Sequence, residues 1–182
     1  DGAVGWPHRR DMSVGMRLLH WILRVASDRI MLPCFERLGG TRDTVLGGRL
    51  CVLRTVGRRT GLPREIPLSY APTTRGVALL AGFGRGTGWV YNLRARPRAE
   101  VLVGDRPYQA TAVEIVERQQ ARRATRAVLR SAGAAGFFYG WDPRRASDER
   151  IDAVVEQTLC FHLVFDQPPP WQPAQRDTAN GR

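Results

Sequence analysis

The chain has 182 residues, 43% of them hydrophobic and 25% charged, which are ordinary values for one globular domain with a sizeable core. Its three cysteines occur without a CxxC spacing and no apolar run reaches 18 residues, which argues against a disulfide framework, a structural zinc site and a transmembrane helix. The formal net charge is +11 and all 28 basic residues are arginine, so the expected partner is an anion: a phosphorylated cofactor, an acidic lipid surface or nucleic acid.

Residues 1–48 are predicted to form an N-terminal helical segment. Ser13 can cap a helix from about residue 14 to residue 28, with Val14, Leu18, Ile22 and Val25 on one side. Two interpretations stay open. The helix packs on the rest of the domain, or it lies on a membrane as a basic amphipathic helix. No secretory pattern is visible, and a cytoplasmic protein is expected, with membrane association as the alternative.

Residues 49–166 have the pattern of short strands separated by glycine and proline, with a few helices. In chain order, we predict strands at 50–56, 65–70 and 77–81, a short helix at 89–95, strands at 100–103 and 108–116, helices at 117–131 and about 148–157, and a strand at 158–165. This order is not a βαβ series. It predicts an α+β, mainly β, domain built around a small antiparallel barrel.

The chain after residue 166 is predicted to be a disordered tail, residues 167–182, because it contains three consecutive prolines and few apolar residues.

The common phosphate-binding and catalytic motifs are missing. There is no P-loop, no Rossmann fingerprint and no GxSxG elbow. The three histidines, His8, His20 and His162, are far apart and none has a ligand spacing, so no metal site is expected.

The strongest local signal is the segment from Gly57 to Arg64, which follows the first predicted strand. Its glycines allow a tight turn that can expose amide donors, and Thr60 adds a hydroxyl. Arg58, Arg59 and Arg64 bring three guanidinium groups to the same place. A phosphate diester or an acidic tail would satisfy these donors, whereas the alternative is a solvated basic turn between two strands.

A second signal is the glycine-dense segment from Gly82 to Gly88 with its aromatic flank. Glycines let the main chain approach a flat ligand closely, and Phe83 or Trp89 can stack on it. Asn92 follows on the short predicted helix. The alternative is that Trp89 packs in the core and the loop binds nothing.

Together these segments have a recognisable order: TxGRRTGxPR, then PLSY at 67–70, AGFG at 81–84 and WxxNLRARP at 89–97. The combination resembles the deazaflavin-dependent nitroreductase family, an actinobacterial group of oxidoreductases, over about residues 50 to 117. The resemblance implies a split β-barrel related to flavin-nucleotide-binding proteins, with the N-terminal helix and two further helices beside it. It implies coenzyme F420 as the cofactor.

The resemblance also implies roles for individual residues. Holding the cofactor's phosphate and acidic tail is implied for Arg58, Arg59, Thr60, Gly61, Pro63 and Arg64. Lining the deazaflavin ring is implied for Ala81, Gly82, Phe83 and Gly84, and closing the same site for Trp89 and Asn92. Tyr139, in the aromatic run 137–141, is the candidate catalytic residue lining the substrate pocket; its alternative is packing of that loop onto the barrel.

We therefore expect an F420H2-dependent oxidoreductase that passes a hydride from reduced deazaflavin to a quinone, enone or nitroaromatic acceptor. One alternative is a barrel of the same superfamily that binds FMN or haem. Another is a basic membrane-associated binding protein. Nucleic acid is not expected as a partner, because the arginines are spread along the chain and no nucleic-acid motif occurs. A homodimer is expected by fold analogy alone.

Overall fold

The computed structural model describes residues 48–82, 86–133 and 142–172. The predicted N-terminal helix lies outside these residues. Six strands and three helices follow one another along the described chain. They are β1 (Leu50–Val56), β2 (Pro63–Thr73), β3 (Gly76–Leu80), α1 (Gly88–Ala95), β4 (Arg98–Val103), β5 (Arg106–Ile115), α2 (Arg118–Ser131), α3 (Asp148–Gln157) and β6 (Cys160–Phe165).

The six strands form a closed antiparallel barrel in the order β1-β2-β3-β6-β5-β4. β1 closes the ring because it pairs with β2 along its whole length and with β4 through Val52–Arg54. β1 and β3 are both antiparallel to β2, so their carboxyl ends meet at the same end of the barrel. We call this the loop end, because the Gly57–Leu62 loop and the segment leading into α1 both start there.

The barrel interior is filled by alternate residues of each strand, as expected for a sheet with one buried face. On β1 these are Cys51 and Leu53, both fully buried, and α1 adds Val90 and Leu93 at the loop end. At about 25 cal/mol per Å² of apolar surface, such side chains are the main source of the free energy of folding. The short helix α1 therefore forms part of the core and closes this end of the barrel.

A second apolar layer lies outside the sheet, where α2 and α3 cover the outer face of β2, β3 and β6. Ile151 is fully buried there, and it clusters with Val128, Leu129 and the outward-facing Leu80. Both helices begin at polar caps. Glu117 accepts hydrogen bonds from the amides of Gln119 and Gln120, and Ser147 accepts one from Arg150.

The expected α+β, mainly β, antiparallel barrel with two flanking helices is confirmed. Among the described residues, none of the helices combines the length and the apolar character needed to cross a bilayer.

The start of the predicted disordered tail 167–182 differs from that prediction. As far as Gln172 the chain packs against the end of the barrel opposite the loop end. The indole of Trp171 donates a 2.7 Å hydrogen bond to the carbonyl of Thr73, and its ring stacks on Tyr70 at 6.0 Å between centroids. An aromatic ring with a satisfied N–H outweighs the local preference of the prolines for an open chain. Residues 173–182 lie outside the described residues.

Replacing Trp171 with alanine is expected to lower the free energy of unfolding by about 2 kcal/mol, since a half-buried ring and one hydrogen bond are lost. Urea denaturation measures this change. Gln167→Ala, an exposed position in the same segment, is the control and should change stability by less than about 0.5 kcal/mol. Equal stability of the Trp171→Ala protein and the wild type would show that packing of residues 167–172 does not stabilise the barrel.

Candidate functional site

The arginine loop, residues Gly57–Leu62 between β1 and β2, is an ordered hairpin connection. The amide of Gly57 donates to the carbonyl of Leu62, and the amide of Gly61 donates to the carbonyl of Gly57, both at 2.8 Å. The amide of Leu62 donates to the hydroxyl of Thr60 at 3.3 Å. Gly61 has φ +68°, which glycine adopts at little cost. The loop thus has a defined shape before any ligand binds.

The hydrogen bonds within the loop change which of its groups are expected to donate hydrogen bonds to a bound anion. The amides of Gly57, Arg58, Gly61 and Leu62 all donate within the protein, two of them to backbone carbonyls of the turn and two to the side chains of Asn92 and Thr60. The exposed amides proposed from the glycines are therefore mostly occupied. An anion at this loop depends chiefly on the arginine side chains.

The three guanidinium groups of this region are exposed at the loop end of the barrel. Within the described part of the chain, Arg58, Arg59 and Arg64 form no ion pair. The guanidinium carbon of Arg58 lies 4.6 Å from the centroid of the Tyr91 ring on α1, which is a cation–π contact. Pro63, the first residue of β2, is exposed beside them. Two unneutralised cations on the turn, with a third at the start of β2, make a binding site for a polyanion.

Several of the other described arginines are paired with carboxylates, whereas others, such as Arg123 and Arg130 on α2, are not. Three arginines at four-residue spacing on α2 face the acids of α3. The pairs are Arg118 with Asp152 and Glu156, Arg122 with Asp148 and Asp152, and Arg126 with Asp148. On the barrel, Arg54 pairs with Glu65 and Glu100, Arg94 with Glu114, and Arg98 with Asp166. Unpaired guanidinium groups are therefore not confined to the arginine loop; the loop differs in having two of them on one short turn, with Arg64 close by at the start of β2.

Asn92 lies under the arginine loop and is 8% exposed. Its side-chain oxygen accepts a 3.1 Å hydrogen bond from the amide of Arg58, and its side-chain nitrogen donates to the hydroxyl of Thr55 at 3.1 Å. The structure therefore brings Asn92 together with the predicted anion site, but both ends of its amide group bind the protein itself.

The other predicted residues lie at the same end of the barrel with different exposures. Trp89 is 4% exposed and its ring contacts Phe161 edge-on at 5.5 Å between centroids, so the ring is part of the core. Ala81 is 1% exposed, and its amide donates to the carbonyl of Leu159. Gly82 is half-buried at the turn that follows. The roles of these residues at a cofactor ring stay predictions.

Phe83, Gly84 and Tyr139 lie outside the described residues, and their predicted roles stay predictions as well. Among the residues that the structure does describe, no group of three or more histidine, cysteine or acidic side chains is arranged to hold a metal ion.

Two cysteines are buried in the described barrel. Burial raises the pKa of the thiol of both Cys51 and Cys160, so both stay protonated near neutral pH. We expect iodoacetamide at pH 8 to alkylate them at least about tenfold more slowly in the folded protein than in urea. Peptide-resolved mass spectrometry measures each thiol separately. Alkylation at comparable rates in the two states would contradict their burial.

Comparison with known proteins gives the decisive observation. A sequence profile of the F420H(2)-dependent quinone reductase family matches residues 27–140, which is more than half of the chain and includes the arginine loop and α1. The chain belongs to this F420H(2)-dependent quinone reductase family. The match extends beyond the resemblance seen at residues 50 to 117, because it begins upstream of β1 and reaches past α2.

Individual relatives agree with the family. The F420H(2)-dependent quinone reductase Rv1261c of Mycobacterium tuberculosis (strain ATCC 25618 / H37Rv) is 36% identical over 64 residues, which are 34% of this chain and 43% of that protein. A putative F420H(2)-dependent quinone reductase, Mb1292c of Mycobacterium bovis, matches to the same extent. The match spans less than half of the length of these relatives.

A solved structure supports the fold of this family member. The conserved hypothetical protein Rv2991 from Mycobacterium tuberculosis superposes with a TM-score of 0.51 at 20% identity, covering 69% of this chain and 78% of that one. At this identity the likeness concerns the backbone arrangement alone.

Sequence reasoning missed two residues that shape the site of this quinone reductase family member. Thr55 is the last inward-facing residue of β1 and 4% exposed, and a buried hydroxyl needs a partner, which here is Asn92. Tyr91 is an aromatic residue of α1 that is 40% exposed. The signals were present: a polar residue at an inward strand position, and an aromatic residue next to Asn92.

Proposed function

We propose that the protein is an F420H2-dependent oxidoreductase that passes a hydride from reduced deazaflavin to a quinone, enone or nitroaromatic acceptor. The observation that carries this proposal is the group of exposed guanidinium groups of Arg58 and Arg59 on the ordered arginine loop and of Arg64 at the start of β2, which have no carboxylate partner in the described chain. Family membership and the names of the relatives support the same chemistry.

The donor set of the loop fits the cofactor that the family name implies. F420 carries a phosphate and an acidic tail, and guanidinium groups bind both kinds of oxygen in a bidentate manner. Arg58, Arg59 and Arg64 would hold these groups, with the hydroxyl of Thr60 free to donate beside them. The backbone at Ala81 and Gly82, at the same end of the barrel, would lie towards the ring.

The protein's own contribution to the reaction is binding, orientation and control of a proton. The reduced deazaflavin, when bound, supplies the hydride. Arginines at a fixed loop set the position of the cofactor along the barrel end, and such fixed geometry lowers the barrier by avoiding reorientation. Tyr139 remains the predicted residue for stabilising negative charge on the acceptor and for donating the proton.

FMN is the second candidate cofactor, because its phosphate would suit the same three arginines. Parallel calorimetric titrations with F420 and with FMN distinguish the two, and oxidation of F420H2 in the presence of a water-soluble quinone tests the reaction. We expect F420 to bind at tens of micromolar or tighter and FMN to bind more weakly. Binding of FMN alone, or of neither compound, would overturn the proposal.

Two partner predictions accompany this function. Self-association into a homodimer is tested by sedimentation velocity. Peripheral contact of the N-terminal segment with an anionic membrane is tested by vesicle sedimentation with and without residues 1 to 30. A monomer in sedimentation velocity would contradict the homodimer. Equal sedimentation with vesicles of the proteins with and without residues 1 to 30 would contradict the membrane contact.

A further inference from the structure

The feature that the proposed function leaves unexplained is the buried side chain of Asn92. It lies on α1, 34 residues away in sequence from Arg58, and it bridges two positions of the β1–β2 hairpin. Its oxygen binds the amide of Arg58 at the start of the arginine loop, and its nitrogen binds Thr55 near the end of β1. The oxygen and the nitrogen of the side-chain amide thus each have one protein partner.

The helix that carries Asn92 is firmly fixed. Val90 and Leu93 are 0% and 2% exposed in the barrel core, and the amide of Arg96 donates to the carbonyl of Asn92 itself. Arg94, on the outer side, forms a bidentate pair with Glu114 of β5, at 2.9 and 2.7 Å. Because α1 is held by the core and by β5, a hydrogen bond from it fixes the loop relative to the barrel.

A second contact joins the same helix to the same loop residue. The ring of Tyr91 lies 4.6 Å from the guanidinium carbon of Arg58. Asn92 thus holds the backbone of Arg58 while Tyr91 contacts its side chain. Two neighbouring residues of α1 restrict one arginine at both places.

We infer that Asn92 is a positioning residue that fixes the arginine loop for anion binding and does not itself contact the ligand. This inference rests on the proposed function in its choice of ligand, and it replaces the direct cofactor contact predicted for Asn92. A loop that is already ordered loses less conformational entropy when the anion binds. The hydrogen bond from Arg58 to Asn92 therefore raises affinity because it orders the loop in the ligand-free protein. The expected signature is therefore a change in the loop before any ligand is added.

The test compares Asn92→Ala with the wild type in two measurements. The first is hydrogen exchange of the Arg58 amide in the ligand-free protein, which we expect to become at least about tenfold faster when its acceptor is lost. The second is calorimetric affinity for F420 and for inorganic pyrophosphate, which we expect to fall about tenfold for both probes.

Two variants separate positioning from a general loss of stability. Val90→Ala removes buried volume from the same helix but no hydrogen bond to the loop. Once the change in global stability is taken into account, the Arg58 amide of this variant should therefore exchange as slowly as in the wild type. Asn92→Asp keeps an oxygen that accepts from the Arg58 amide, so slow exchange should be rescued. If Asn92→Ala does not fold, Thr55→Val removes the other partner of Asn92, and faster exchange at Arg58 is again expected.

A loss of affinity in Asn92→Ala with unchanged exchange at Arg58 would mean that Asn92 touches the ligand, and the inference would be overturned. The same conclusion holds if Val90→Ala speeds exchange at Arg58 as much as Asn92→Ala does. Should the wild type bind neither F420 nor pyrophosphate, the proposed function fails, while the exchange measurement still decides whether Asn92 fixes the loop.

Discussion

Replacing Arg58 and Arg59 together with alanine is expected to weaken F420 binding by about 100-fold or more. Both guanidinium groups are exposed on a loop with an ordered backbone and, in the described chain, without a carboxylate to compete with the ligand. A hydrogen bond to a charged group is worth about 1.5 to 3 kcal/mol, and about 1.4 kcal/mol corresponds to a tenfold change in affinity. Calorimetric titration of both proteins measures the loss.

The matched control for this pair is Arg123→Ala combined with Arg130→Ala. Both residues are exposed on α2, away from the arginine loop, and the double change removes the same formal charge. We expect a less than about threefold effect on affinity at physiological salt, since charges beyond a Debye length are screened. Equal losses in the two double variants would mean that overall charge, and not the loop, attracts the cofactor.

Stability measurements complete this experiment. The two loop arginines make no ion pair in the described structure, so their replacement should change the free energy of unfolding by less than about 0.5 kcal/mol. A fully folded protein with unchanged F420 affinity would remove the main support for the proposed function.

Gly76→Ala is expected to cause the largest loss of stability, at least about 3 kcal/mol. Gly76 begins β3 with φ +154°, and a Cβ atom there would lie 1.9 Å from the carbonyl oxygen of Leu163. That oxygen belongs to β6, which pairs with β3 along the ring, and it cannot withdraw without breaking the barrel. Urea denaturation, or loss of soluble protein, measures the effect.

Gly88→Ala is the control for this substitution. No atom lies within 4 Å of a Cβ built at Gly88, which is the first residue of α1. Alanine favours a helix over glycine by up to about 1 kcal/mol, so stability should be unchanged or slightly higher. Normal stability of the Gly76→Ala protein would contradict the close packing of β3 against β6.

Most of the fold could be predicted from local sequence patterns. β1 has the predicted bounds, Leu50–Val56, because it begins with a run of apolar residues and a glycine follows Val56 directly. β2 was predicted at 65–70 but runs from Pro63 to Thr73, because pairing with both β1 and β3 extends it beyond its local signal. At the other end of the chain, β6 starts at Cys160 and not at 158, because the hydroxyl of Thr158 bonds to the last turn of α3.

The candidate site was predictable in its charge but not in its construction. Arginines between two strands predicted an exposed cationic loop, and the structure has that loop. The hydrogen bond between Arg58 and Asn92 joins residues on different elements, so only the closed barrel brings them together. Similarly, nothing local in three consecutive prolines indicated that Trp171 would stack on Tyr70, which lies on β2.

The ring of strands is not paired evenly around its circumference. In the described chain β2 pairs with β1 through Pro63–Ser69 and with β3 only through Tyr70–Thr73. The part of β2 nearest the loop end therefore has a strand partner on one side, and backbone groups at such an edge are available to pair with another segment of polypeptide. Closure of the ring does not by itself prevent two copies from associating through backbone pairing at this edge.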